Sequence, residues 1–95
     1  YGLGKCLALE GSKHGISCNI IAPMAGSRIT ETVLPPDVLE LLKPDYVTYP
    51  VAYLCHNSCN ENGAVFEIGG GFIARVILQR SKGFSIALDL DQPVR

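Results

Sequence analysis

Ile16-Ser17-Cys18-Asn19-Ile20-Ile21-Ala22, stopped by Pro23, is the run that most limits what this chain can fold into. It is rich in β-formers but does not alternate cleanly between apolar and polar residues, so both of its faces need apolar cover. A strand of that kind belongs in a parallel sheet with helices on each side. Pro23 lacks the N–H that a ladder uses and is expected to end the strand.

The flanking segments supply those helices. Gly2 to Glu10 carries Leu3 and Leu7 one turn apart, with Cys6 and Leu9 widening the stripe and Gly11 placed to cap the end. After Pro23, a loop rich in Gly, Ser and Thr runs from Met24 to Pro36 and leads into a short helical piece over Asp37–Leu42. Loops of that length inside compact domains tend to cover functional sites. Val47, Val51 and Leu54 recur at helical spacing, which places a helix near Thr48, its expected cap, with Pro50 in the first turn. Asn60-Glu61-Asn62-Gly63 turns the chain into a second strand, Ala64–Ile68, closed by Gly69-Gly70-Gly71. Returning through helices makes the two strands a right-handed crossover. Two strands are too few for a parallel sheet, so neighbours are expected N-terminal to Tyr1. The expected fold class is α/β: the C-terminal portion of a Rossmann-like, doubly wound parallel sheet, incomplete, with about two strands plus helices.

Composition narrows the function. The chain has 95 residues, 47% of them hydrophobic, which suits one packed domain at most. A chain of this size buries only about 60–65% of its unfolded surface, so its stability is marginal without further cover. Eight Lys plus Arg against nine Asp plus Glu give a net charge of −1, too little field to draw it to nucleic acid or anionic lipid. Gly, Pro and polar residues break every apolar run well before the roughly 18–20 residues that span a bilayer, so neither nucleic acid nor membrane is an expected partner. Cys6, Cys18, Cys55 and Cys59 sit in apolar patterns without the spacing of a disulfide scaffold and read as buried free thiols. The chain starts at Tyr1 and its one methionine is Met24, so both ends read as cuts.

Several motifs invite chemistry. Tyr1-Gly2-Leu3-Gly4-Lys5 spells Tyr-x-x-x-Lys, which on a helix sets an ammonium beside a phenol. The triple glycine at 69–71 lacks the remaining glycines and the later acidic residue of a phosphate cradle and reads as a strand-end turn. Cys55, His56 and Cys59 fall short of the four ligands of a structural zinc site; packing and a helix end account for them, and no metal is expected. Glu10, Glu31, Glu40 and Asp45 form no spaced carboxylate pair.

Gly2-Leu3 with Leu7-Ala8-Leu9-Glu10, then Gly15-Ile16, Asn19 and Ala22-Pro23, resemble the part of the short-chain dehydrogenase/reductase family that follows its catalytic Tyr-x-x-x-Lys. In that family the catalytic pair precedes the Gly-Leu element. Counted back from Pro23, Tyr1 stands about two helical turns too close. Tyr1 and Lys5 are therefore read as structural, and no catalytic residue is assigned. Pro23-Met24-Ala25-Gly26-Ser27-Arg28-Ile29-Thr30-Glu31-Thr32 replaces the family's usual Pro-Gly and looks like the (3R)-hydroxyacyl-CoA dehydrogenase units of multifunctional β-oxidation enzymes. The likeness continues through Leu42–Val47, Leu54-Cys55-His56, Cys59, Glu61-Asn62-Gly63 and Phe66–Gly69, and loosens after Arg75. On that basis residues 1–75 are the C-terminal part of the dehydrogenase domain and 76–95 its C-terminal extension.

What the resemblance implies is oxidation of a (3R)-3-hydroxyacyl-CoA to the 3-ketoacyl-CoA with NAD, in peroxisomal fatty acid β-oxidation, by a homodimeric parent enzyme. It also implies that Ala25, Gly26, Ser27 and Arg28, with Pro23 and Thr30, line the cofactor at the C-terminal end of a strand. Small residues there would let the backbone approach the nicotinamide carboxamide, Ser27 would offer a hydroxyl, and Arg28 a cation near pyrophosphate or acyl-CoA. Two other readings are a non-catalytic dimerisation or interaction module and a short-chain dehydrogenase acting on steroids or other alcohols. Acyl chain length, NAD against NADP and any following hydratase or sterol-carrier-like domain are not written in these residues.

Overall fold

A computed structural model describes residues 1–87, and its secondary structure runs helix, strand, two short helical segments, helix and two strands. We label the strands β1 (Ile20–Met24), β2 (Val65–Gly69) and β3 (Phe72–Val76), and the α-helices α1 (Gly2–Ser12), α2 (Pro36–Leu41) and α3 (Asp45–Leu54). A 3-10 turn at Thr30–Thr32 sits between β1 and α2. The sheet order is β1-β2-β3, with β1 parallel to β2 and β3 antiparallel to β2.

The parallel pair and its two helical covers follow the reading of the sequence. Gly4 of α1 lies against Ile20, and a Cβ there would stand 2.3 Å from that side chain's Cδ1. Ile21, on the opposite face by strand alternation, borders a cleft with Val51 and Leu54 of α3. The helices therefore cover opposite faces, as a doubly wound sheet requires.

The third strand goes beyond the two that the sequence suggested. Gly70 and Gly71 have φ of 57° and 79°, and Gly69 pairs with Phe72, so the two glycines form the tight turn of a hairpin. Left-handed backbone at both central positions matches the right-handed twist of the flanking strands, and glycine adopts it without steric penalty. The triple glycine is thus a strand-end turn as read, with the strand continuing back along β2.

Four local expectations are corrected. Helix α1 continues through Gly11 to Ser12, and the left-handed residue is Gly15, at φ 69°. The first strand begins at Ile20, because side chains replace ladder bonds before it: Asn62 Oδ1 accepts the Cys18 amide at 2.9 Å. Pro23 lies inside β1, paired with Ile68. The Ile20 amide donates to Ala64 at 2.8 Å, so alternate residues from Ile20 face β2 and Pro23 presents its missing donor to the open edge. Helix α3 starts at Asp45 rather than Thr48, which puts Pro50 in its interior and leaves the Tyr46 carbonyl without its helical donor.

Burial is divided between the two faces of the sheet, with Val65 beside Ile20 on the α1 face and Ile68 beside Pro23 on the α3 face. Ala8, Ala64, Val65 and Ile68 are the buried apolar residues, joined by Gly4 and Gly63. The expected apolar stripe of α1 points elsewhere, with Leu3 and Leu9 each 74% exposed and Leu7 also exposed. Small residues face the sheet because the close approach at Gly4 leaves no room for larger ones. None of the cysteines is buried: Cys6 and Cys55 are exposed, Cys18 and Cys59 partly so, and all four are free. The radius of gyration is 20.5 Å, against about 13 Å for a compact domain of about 100 residues. No helix among the described residues is long and apolar enough to cross a membrane.

Candidate functional site

The expected site residues emerge together at the C-terminal end of β1, where ligands bind in open α/β sheets. Pro23 is the fourth residue of the strand, and Ala25 to Arg28 form the loop that leaves it. Ser27 and Thr30 knot that loop. The Ser27 amide donates to Thr30 Oγ1 at 2.6 Å, and the Thr30 hydroxyl lies 3.1 Å from the Ala25 carbonyl and 3.0 Å from that of Ser27. The Glu31 amide donates back to Ser27 O at 2.9 Å, which closes a further turn just before the 3-10 segment. Thr30 is thereby engaged by its own loop, whereas Ser27 Oγ has only 3.4 Å contacts and faces solvent.

Gly26 ties the loop to the end of α2. Its amide donates to the Leu42 carbonyl, and a Cβ would stand 3.1 Å from Leu39 O and 3.3 Å from Leu42 O. On that side the space saved by glycine is taken up by backbone carbonyls. Arg28 is exposed, and among the described residues the one ion pair is Arg75 with Glu61 at 3.1 Å.

Two clefts flank Pro23. On the α3 side, Pro23 and Ala25 face Pro44, Val47 and Val51 in an apolar cleft. On the other side, Ala22, Met24, Leu42, Gly69 and Phe72 line a second cleft together with the exposed Glu67. The sequence reading missed Glu67, although it is the one charged residue in the second β-rich run. The register places Ala22 and Ala74 on either side of it, and Gly69 follows on the same face without a side chain. The loop thus presents an apolar wall on one side and an exposed guanidinium on itself.

The Tyr-x-x-x-Lys pair lies elsewhere and is engaged differently. Lys5 Nζ donates to the Gly63 carbonyl and sits 5.2 Å from the centroid of the Tyr1 ring, over its face. His56 Nδ1 contacts Ser58 Oγ at 2.8 Å and accepts the Ser58 amide at 3.1 Å, while Cys55 caps α3. Among the described residues no three His, Cys, Asp or Glu side chains converge on a point.

A parallel strand pair between two helices, with a short polar loop at its C-terminal end, defines a piece of a Rossmann-like α/β sheet. No family model matches the chain. The peroxisomal multifunctional enzyme type 2 of Mus musculus is 53% identical over 93 residues, which is 98% of this chain and 12% of that protein. A Mycobacterium tuberculosis protein described as a short-chain type dehydrogenase/reductase is 48% identical over 82 residues, 86% of this chain and 29% of its own length. The solved structure of full-length peroxisomal multifunctional enzyme type 2 from Drosophila melanogaster superposes with a TM-score of 0.78 at 36% identity, over 99% of this chain and 16% of that one. The chain belongs to the short-chain dehydrogenase/reductase family, in the branch carried by the peroxisomal multifunctional enzymes. It spans less than a third of the relatives it matches.

Proposed function

We propose that this chain forms the C-terminal part of a dehydrogenase unit that oxidises a (3R)-3-hydroxyacyl-CoA to the 3-ketoacyl-CoA with NAD in peroxisomal β-oxidation. The observation that carries the reading is the Ala25–Arg28 loop at the end of a parallel strand, in a chain 53% identical to a peroxisomal multifunctional enzyme. NAD, when bound, supplies the hydride acceptor.

This chain's contribution is binding and shape. Arg28 offers an exposed cation to a phosphate, of the cofactor or of coenzyme A. Ser27 Oγ offers a hydroxyl beside it, and Pro23 with Ala25 supplies an apolar wall. Gly26 and Thr30 hold the loop to α2 and to itself, so those contacts are pre-formed. On this reading the proton from the substrate hydroxyl goes to a group other than Tyr1, which stands about two helical turns from the position of the family's catalytic tyrosine.

Steady-state kinetics of the whole enzyme carrying Arg28→Ala test the reading. KM for NAD or for the acyl-CoA should rise about tenfold, the loss of one charge-assisted contact, with kcat within about twofold. Unchanged KM for both would sink it. The isolated 95-residue chain should not reduce NAD.

One observation favours a second reading, an interaction module. Leu3, Leu7 and Leu9 leave the apolar side of α1 uncovered, a surface suited to a second copy in a homodimer. The two readings are compatible if the parent enzyme is dimeric.

A further inference from the structure

Lys5 ties helix α1 to the turn that precedes β2. Lys5 Nζ donates to the carbonyl of Gly63, at the turn into β2, and Asn62 Nδ2 donates to the Ala8 carbonyl at 3.2 Å. Asn62 Oδ1 takes the Cys18 amide at 2.9 Å, and the Gly63 amide donates to Cys18 O at 2.8 Å, so the turn is itself fixed to the approach of β1. Gly63 is buried at φ 71°, and a Cβ would meet Ala8 Cβ at 3.3 Å, which shows how closely helix and turn are pressed together.

The direction of α1 makes this contact consequential. Gly11 lies against Ile16 and Gly4 against Ile20, so α1 runs antiparallel to β1 and its N-terminal end points toward the strand ends where the candidate site lies. Gly4 and Ala8 form the buried face of α1, and their small side chains interlock little with the sheet, while Leu3, Leu7 and Leu9 face outward. Apolar packing therefore leaves α1 weakly held against sliding. Lys5 and Ala8 are three residues apart, hence neighbours on one face, and two bonds there oppose both sliding and rotation.

We propose that Lys5 and Asn62 are positioning residues: a two-point tether that fixes the axial setting of α1 and so the geometry of the site beyond its N-terminal end. The catalytic consequence rests on the dehydrogenase reading; the tether does not. A slip of one residue would move the helix by about 1.5 Å along its axis, and misplacements near 1 Å can cost about 100-fold in rate.

The test uses the whole enzyme with Lys5→Met, which keeps the stem without the donor, and Asn62→Asp, which keeps the acceptor for Cys18 but loses the donor to Ala8. Each should lower kcat about tenfold with KM within about twofold. Lys5→Arg, with donors that reach the same carbonyl, should recover at least half of the loss. Unaltered kcat in both tether variants, a change confined to KM, or a Lys5→Arg enzyme as slow as Lys5→Met would overturn the catalytic role. Amide hydrogen exchange over residues 2–12 needs no substrate and reads the tether separately. Faster exchange in Lys5→Met supports it even if the wild-type enzyme oxidises no hydroxyacyl-CoA, and wild-type exchange there refutes it.

Discussion

Replacing Gly4 with alanine should destabilise the protein, although the same change two residues earlier should stabilise it. In an exposed helix interior, glycine to alanine gains about 1 kcal/mol of helix propensity. At Gly4 the new Cβ would lie 2.3 Å from Ile20 Cδ1 and 2.5 Å from Ile20 Cγ1, far inside contact distance. Cδ1 can swing away, but Cγ1 is held near the backbone of the first residue of β1, so Ile20 must change rotamer or α1 must lift. Overpacking of that kind costs about 1–3 kcal/mol. Subtracting the propensity gain from the upper part of that range leaves a net loss of about 1–2 kcal/mol. At Gly2 nothing lies within 4 Å, so Gly2→Ala keeps whatever propensity gain its terminal position allows, a few tenths to about 1 kcal/mol. Urea unfolding of the two variants in the whole protein, compared by midpoint at constant slope, measures the difference. Equal stabilisation by both substitutions would refute the seating of α1 on Ile20.

Two further outcomes are expected. Gly71→Ala should destabilise the β2–β3 hairpin by about 1–2 kcal/mol, because its φ of 79° is left-handed and L-residues resist it; a midpoint shift near zero in the same urea assay would mean that the turn is not formed. Tyr1→Phe should leave kcat unchanged, since the ring face rather than the hydroxyl meets Lys5; a large fall in kcat would return the pair to catalysis.

The expected site residues share one loop, but the sequence did not reveal how that loop is held. Ala25-Gly26-Ser27-Arg28 could be read as a ligand loop only through the resemblance to short-chain dehydrogenases, because its small and polar residues alone suit any surface loop. That Thr30 closes on Ala25 and Ser27, and that Gly26 accommodates Leu39 and Leu42, depends on where the loop folds back and where α2 lands. Glu67 went unnoticed for a similar reason: its alanine neighbours lie on other strands, 45 positions before it in the chain and 7 after.

Local patterning by itself determined that β-rich runs alternate with helical ones and that the triple glycine ends a strand. Those features depend on side-chain type and spacing over a few residues, which are present in the chain before it folds. Tertiary structure decided which face of α1 is buried, why Pro23 is tolerated within β1, that β3 folds back along β2, and what Lys5 holds. Each of these depends on a partner far away in the chain. Leucine is more apolar than glycine, yet Gly4 faces Ile20 because only a missing side chain lets helix and strand come this close.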